Sequence, residues 1–188
     1  TYGNIHGGAA ELAQKELRSA GKNADYINTL KMADNYLPAF DMEEQTASEP
    51  GKKIEEHLGR IREDIEAGKK WIQPASKEDR AWHRKYLERQ AAVPSDQWRH
   101  IYDVTEECIG CGICTRVCPA GCIHLEKGRA VHTMENCQMC MACIHHCPQN
   151  AIRLTIPEKN PAARFHNSHI RLTEIVKAND QSGWEAHR

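Results

Sequence analysis

The chain has 188 residues, a formal net charge of −1 and 27% charged residues. That length suits one large domain or two small ones, and the charge balance excludes the basic surface that would neutralise nucleic-acid phosphates. No apolar run approaches the roughly 20 residues of a membrane helix, so membrane insertion is not expected.

Residues 1–8, TYGNIHGG, read as a polar, glycine-rich loop. A helix is predicted over 9–20, where Leu12, Ala13, Leu17 and Ala20 share a face and Gly21 stands where a terminating glycine belongs. Ala24 to Leu30 reads as a short strand centred on Tyr26 and Ile27. Residues 31–50 read as irregular, with Pro38 and Pro50 as punctuation. A second helix is predicted over 51–70, with Ile54, Leu58, Ile61 and Ile65 on one stripe and Gly68 near its end. That stripe is expected to pack on the α/β layer; a partner-binding helix is the sharper alternative. Loop, helix and strand make one αβ unit, too small to bury a sheet on both faces alone.

Residues 71–100 read as a connector between domains. They hold Trp71, Trp82 and Trp98 between or beside Pro74 and Pro94, and the tryptophans are expected to dock it. Ser76 to Asp79 has the pattern that caps a helix, here through about Gln90.

Eight of the nine cysteines fall into two runs. Cys108, Cys111, Cys114 and Cys118 precede Pro119; Cys137, Cys140, Cys143 and Cys147 precede Pro148. Each run reads C-x2-C-x2-C-x3-C-P, an iron–sulfur ligation pattern. Their confinement to one segment, their metal-type spacing and the lack of a preceding signal peptide oppose a secreted disulfide scaffold. A cytoplasmic, reducing compartment is expected. The opening on Thr1, within a motif, suggests a processed or partial sequence.

Around these runs the chain repeats at an offset of 29 residues: CIGCGICTRVCPAGCIHL aligns with CQMCMACIHHCPQNAIRL. Tyr102 and Val104 align with Val131 and Thr133. Each copy therefore reads as strand, cysteine loop, short helix and return strand. Two copies about a pseudo-twofold axis give a (βαβ)2 domain over 101–156 that depends on metal to fold.

Three closely spaced thiolates converge on one face of a loop. The Cys-Pro turn sends the fourth away, and in two-cluster proteins that fourth cysteine serves the other cluster. The expected sets are Cys108, Cys111, Cys114 and Cys147 for one [4Fe-4S] cluster, and Cys137, Cys140, Cys143 and Cys118 for the other. Crossed ligation brings the clusters together, which suits an electron relay. A Cys/His zinc site is the rival, but zinc sites pair two C-x2-C knuckles rather than two full runs.

Cys122 aligns with Ala151 and is expected to be a small, buried, inert thiol. Gly110 and Gly112 in the first loop are replaced by Met139 and Met141 in the second, so unequal cluster potentials are expected. His145 and His146 are expected at the surface. No Ser/His/Asp set, phosphate-binding loop or convincing carboxylate pair is found elsewhere. Residues 157–188 read as a polar tail with one short helix from about Thr173 and a loose end.

The segment 102–154 resembles the bacterial-type 2[4Fe-4S] ferredoxins. Further residues extend the likeness: Tyr2-Gly3-Asn4, the helix after Gly7-Gly8, Met32 to Pro38, CMACIHHCP, and Arg164-Phe165-His166-Asn167. Together they are similar to the flavodoxin–ferredoxin fusion proteins of anaerobic bacteria. That resemblance implies an α+β protein in which a partial flavodoxin-like α/β segment, residues 1–70, precedes the dicluster domain. It implies electron transfer to or from a redox partner protein, as a carrier or as part of a flavin-dependent iron–sulfur oxidoreductase. In the family the loop equivalent to Thr1, Tyr2, Gly3 and Asn4 lies near the flavin ring. The first strand and phosphate loop are missing from these residues, so FMN is expected only where that part is supplied.

Overall fold

In a computed structural model, residues 3–92, 101–133 and 136–180 are described. Thr1 and Tyr2 of the candidate flavin loop, Pro94 and Trp98 of the connector, and the expected loose end after residue 180 lie outside them. The described residues form two compact units: 3–35 with 44–92, and 36–43 with 101–180.

In the first unit, helix α1 (Ala9–Ser19) is followed by strand β1 (Tyr26–Ile27). The helix stops at Gly21, which takes φ 70° while Lys22 N–H reaches back to the Leu17 carbonyl at 2.8 Å. Buried Gln14 holds the turn that follows: its Nε2 donates to Asn23 Oδ1 at 2.6 Å, and its Oε1 accepts the Ala24 N–H at 3.2 Å. The stretch expected to be irregular carries helix α2 (Met42–Ser48) and a 3-10 turn (Glu49–Lys52). Short length and a Thr-Ala-Ser ending hid α2 from periodicity.

Helix α3 (Ile54–Glu66) occupies the predicted site, but none of its residues is buried, and Leu58 and Ile65 stay 43% and 57% exposed. Packing of this stripe on a layer is therefore not observed within the unit. The sheet there has two residues per strand, too little area to cover a 13-residue helix.

Residues 71–92, read as connector, are part of the first unit's fabric. Strand β2 (Trp71–Ile72) pairs parallel with β1, setting Tyr26 opposite Trp71 and Ile27 opposite Ile72. Helix α4 (Lys77–Ala91) starts in the predicted capping box: Ser76 Oγ accepts from Asp79 N–H at 3.0 Å, and Asp79 Oδ2 accepts from Ser76 N–H at 2.9 Å. Asp79 also accepts the Gly7 N–H at 3.2 Å and lies 3.1 Å from His6 Nε2. Arg80 bridges to Glu11 at 2.6 Å. Trp71 and Trp82 are not buried anchors: each is more than two-fifths exposed, and Trp82 stacks on Tyr86.

The second unit follows the repeat. Strand β3 (Tyr102–Val104), helix α5 (Ile113–Val117) and strand β4 (Ile123–Glu126) make the first half. Strand β5 (Arg129–His132), helix α6 (Ala142–His145) and strand β6 (Ile152–Leu154) make the second. The halves interlock: β3 pairs antiparallel with β6, and β4 with β5. A two-residue turn joins β4 to β5, with Lys127 at φ 48° and Gly128 at φ 76°, the left-handed pair that suits strand twist.

The tail contributes to this unit. Ala163 is buried with the core, and Glu158 and Arg164 form a buried ion pair of 2.9 Å. Leu37 and Met42 pack in the same core, and Lys159 N–H donates to the Leu37 carbonyl at 2.8 Å. Helix α7 (Leu172–Ala178) matches the predicted short helix.

Candidate metal centre

The cysteine loops owe their shape to left-handed residues at matching places. Gly110 and Gly112 take φ 65° and 71°; Met139 and Met141, 29 residues on, take 52° and 59°. Gly121 and Asn150, after the Cys-Pro pairs, take 62° and 49°. Glycine is free to do this, whereas a side chain costs about 1–2 kcal/mol. Both loops thus enter the left-handed region at the same places. At Gly110 glycine is obligatory for a second reason: an added Cβ would overlap the Gly128 carbonyl oxygen of the β4–β5 turn.

These loops enclose two cavities. One is lined by Cys108, Cys111, Cys114 and Cys147, with Ile113, Leu125, Ala130 and Ile152 as apolar walls. The other is lined by Cys118, Cys137, Cys140 and Cys143, with Tyr102, His132 and Met141. Each cavity draws three cysteines from one run and one from the other. Cys114 and Cys143 are buried while Cys111 and Cys140 are exposed, so each cavity has one solvent-facing corner.

Backbone N–H groups point at the sulfurs. Cys122 N–H donates to Cys118 Sγ at 3.3 Å, and its repeat mate Ala151 to Cys147 Sγ at 3.2 Å. Ala130 N–H reaches Cys108 Sγ and Met139 N–H reaches Cys137 Sγ, both at 3.4 Å. Such donors stabilise negative sulfur. Without metal the site resists it: burial first, then the neighbouring Cys140, Cys118 and Cys137, push the Cys143 thiol well above its ordinary pKa. Burial likewise raises Cys114. Four thiols around one cavity ionise together only against cationic iron, so the donor set fits an iron–sulfur cluster.

A single ion fits poorly. Among the described residues, no three His, Cys, Asp or Glu side chains form a group that could hold one metal ion. Zinc would draw four ligands to about 2.3 Å or less, whereas thiols around a cluster body stand farther apart.

Cys122 is buried, with its thiol pushed up to about 11 by burial first and then by Cys118, as suits an inert packing residue. His145 departs from expectation. It is buried, and its Nδ1 accepts the Phe165 N–H at 3.1 Å because the tail covers it. Its repeat mate Arg116 is exposed. His146 is half-buried and meets the edge of His166 at 5.0 Å. Of the candidate flavin loop, Gly3 lies against Asp34, where a Cβ would overlap that side chain. Tyr102 and His132, lining the second cavity, carried no motif; their repeat mates Val131 and Asp103 gave no reason to single them out.

The 4Fe-4S dicluster domain family matches residues 86–152. An uncharacterised ferredoxin of Methanocaldococcus jannaschii is 38% identical over 55 residues, covering 27% of this chain and 71% of that protein. The chain belongs to the ferredoxins. This ferredoxin is also similar to one component of an ion-translocating oxidoreductase complex of Methanosarcina acetivorans, 47% identical over 47 residues, or 25% of this chain and 18% of that one. A component of the NADH-quinone oxidoreductase of Geobacter metallireducens is 31% identical over 81 residues, 36% of this chain and 62% of that one. The match thus spans under two thirds of each of these two proteins. The ferredoxin carries two [4Fe-4S] clusters and serves iron–sulfur electron transfer. No helix among its described residues is long and apolar enough to cross a membrane.

Proposed function

We propose that Cys108, Cys111, Cys114 and Cys147 hold one cluster and Cys118, Cys137, Cys140 and Cys143 the other, and that this chain relays electrons between two redox proteins. The observation that carries this reading is the lining of the two cavities, three thiols from one run and the fourth from the other in each. The clusters supply one-electron redox chemistry when bound. The chain orients the thiolates, aims N–H groups at sulfur and keeps water from the buried faces with Ile152, Ala130 and Met141. Electrons enter and leave at the exposed corners, Cys111 and Cys140.

Redox partners are proposed to be soluble or complex-bound oxidoreductases, a reading supported by the similarity to components of two oxidoreductase complexes. Residues 1–70 are proposed to belong to a flavodoxin-like layer, a reading supported by the parallel pairing of Tyr26–Ile27 with Trp71–Ile72, just past that segment. Anaerobic purification with iron, sulfide and flavin quantified together tests these readings. About eight iron and eight sulfide per chain are expected, four of each per cluster. Zinc without sulfide would refute the ligand assignment, and bound flavin would favour a flavin–iron–sulfur oxidoreductase over a simple carrier.

A further inference from the structure

The two cavities differ in one chemical respect. The first has apolar walls, Leu125, Ala130 and Ile152. The second has Tyr102 and His132, stacked face to face at 4.6 Å with planes 9° apart. Tyr102 is 5% exposed, and its hydroxyl completes no hydrogen bond among the described residues. Cys137 lines the same cavity as Tyr102. Leaving such a donor unpaired in a core costs about 1–3 kcal/mol, so a buried orphan hydroxyl calls for a partner. The walls of its cavity supply thiols that become thiolates when iron binds.

We propose that Tyr102, braced by its stack on His132, donates its hydroxyl hydrogen bond to the sulfur of the second cluster's ligand shell, at Cys137, and thereby makes that cluster the easier of the two to reduce. This rests on the ligand assignment proposed above. The direction follows from charge. Each reduction adds one electron, delivered by a low-potential reductant, and so adds one negative charge to the cluster and its thiolates. A donor aimed at sulfur stabilises that state more than the oxidised one. The proton stays on the Tyr102 oxygen throughout. Its repeat mate Val131 has no side-chain donor, and no tyrosine or histidine lines the first cavity among the described residues.

The test is a potentiometric EPR titration of the full chain, reconstituted anaerobically, as wild type, Tyr102→Phe and His132→Phe. In Tyr102→Phe one of the two reduction steps should become harder by roughly threefold to tenfold in its equilibrium constant, the scale of one net hydrogen bond. The other step should not move, and iron content should match wild type. The shifted proton resonances of the Cys137 methylene should move in the same variant while those of Cys108 stay. His132→Phe keeps the ring stack and should leave both steps in place. Two unmoved steps in Tyr102→Phe at full iron content, or a shift in His132→Phe alone, would overturn the proposal. Should Tyr102→Phe lose iron, 3-fluorotyrosine in place of all five tyrosines decides. A stronger phenol donor at unchanged shape should ease one reduction step, and no change would overturn the hydroxyl's role. Wild-type protein lacking two clusters would instead overturn the ligand assignment itself.

Discussion

Met141 adopts the backbone of Gly112: φ is 59° at the methionine and 71° at the glycine 29 residues earlier. Both precede a short helix that carries the third cysteine of its run. The two loops therefore reach one shape by different means, glycine freedom in the first and packing in the second, where Met141 is 1% exposed. The strain of a left-handed methionine, about 1–2 kcal/mol, is offset by burying a large side chain, worth roughly 1.5–3 kcal/mol.

Gly110→Ala and Met139→Gly should therefore behave oppositely. The alanine Cβ overlaps the Gly128 carbonyl oxygen, so the first loop shifts and about four irons per chain are lost. Met139→Gly exchanges strain of about 1–2 kcal/mol for backbone entropy of about 0.5–1 kcal/mol and should retain all iron. Iron per chain after anaerobic gel filtration reads both.

Cys122→Ala should keep both clusters, with a stability loss of less than about 1.5 kcal/mol. Its repeat mate is Ala151, fully buried, and the bond to Cys118 Sγ comes from the backbone N–H that alanine retains. Cys118→Ala should lose a cluster. Visible absorbance near the iron–sulfur charge-transfer band separates the two variants.

Asp79 should make the first unit sensitive to acid. Burial alone would raise its pKa. The Ser76 N–H and hydroxyl environment, the His6 charge and the Gly7 N–H outweigh it and hold the carboxyl below its ordinary value. A depressed carboxylate contributes stability above the unfolded value of about 3.9, and that contribution is lost as pH falls through the folded value. Asp79→Asn should cost about 1–3 kcal/mol at neutral pH, and the gap from wild type should close as pH falls below the unfolded value of about 3.9 and through the lower folded one. Amide exchange across 77–91 measures both.

The second unit was legible because its determinants are local. A fixed offset, eight cysteines and two Cys-Pro turns specify the strands, both short helices and the thiols to be brought together. Contacts that depend on distant chain were not legible. His145 reads as surface until Phe165 bonds to it from 20 residues away. Leu37 and Met42 join this core from a stretch without periodicity. Trp71 begins a strand because Tyr26, far back in the chain, supplies its partner. The stripe of α3 signalled a buried face, but the first unit has too little sheet to bury it. Tyr102 was a strand residue by pattern, and its hydroxyl acquires meaning when β3 is set beside the second cavity.

Crossed ligation is the central claim, and Cys147→Ala tests it most directly. The variant, assembled anaerobically, should hold about four irons, one cluster's complement. Its contact-shifted proton NMR spectrum should retain the methylene signals of Cys118, Cys137, Cys140 and Cys143 and lose those of Cys108, Cys111 and Cys114. Loss of the Cys137, Cys140 and Cys143 signals with survival of the first run's would contradict the account.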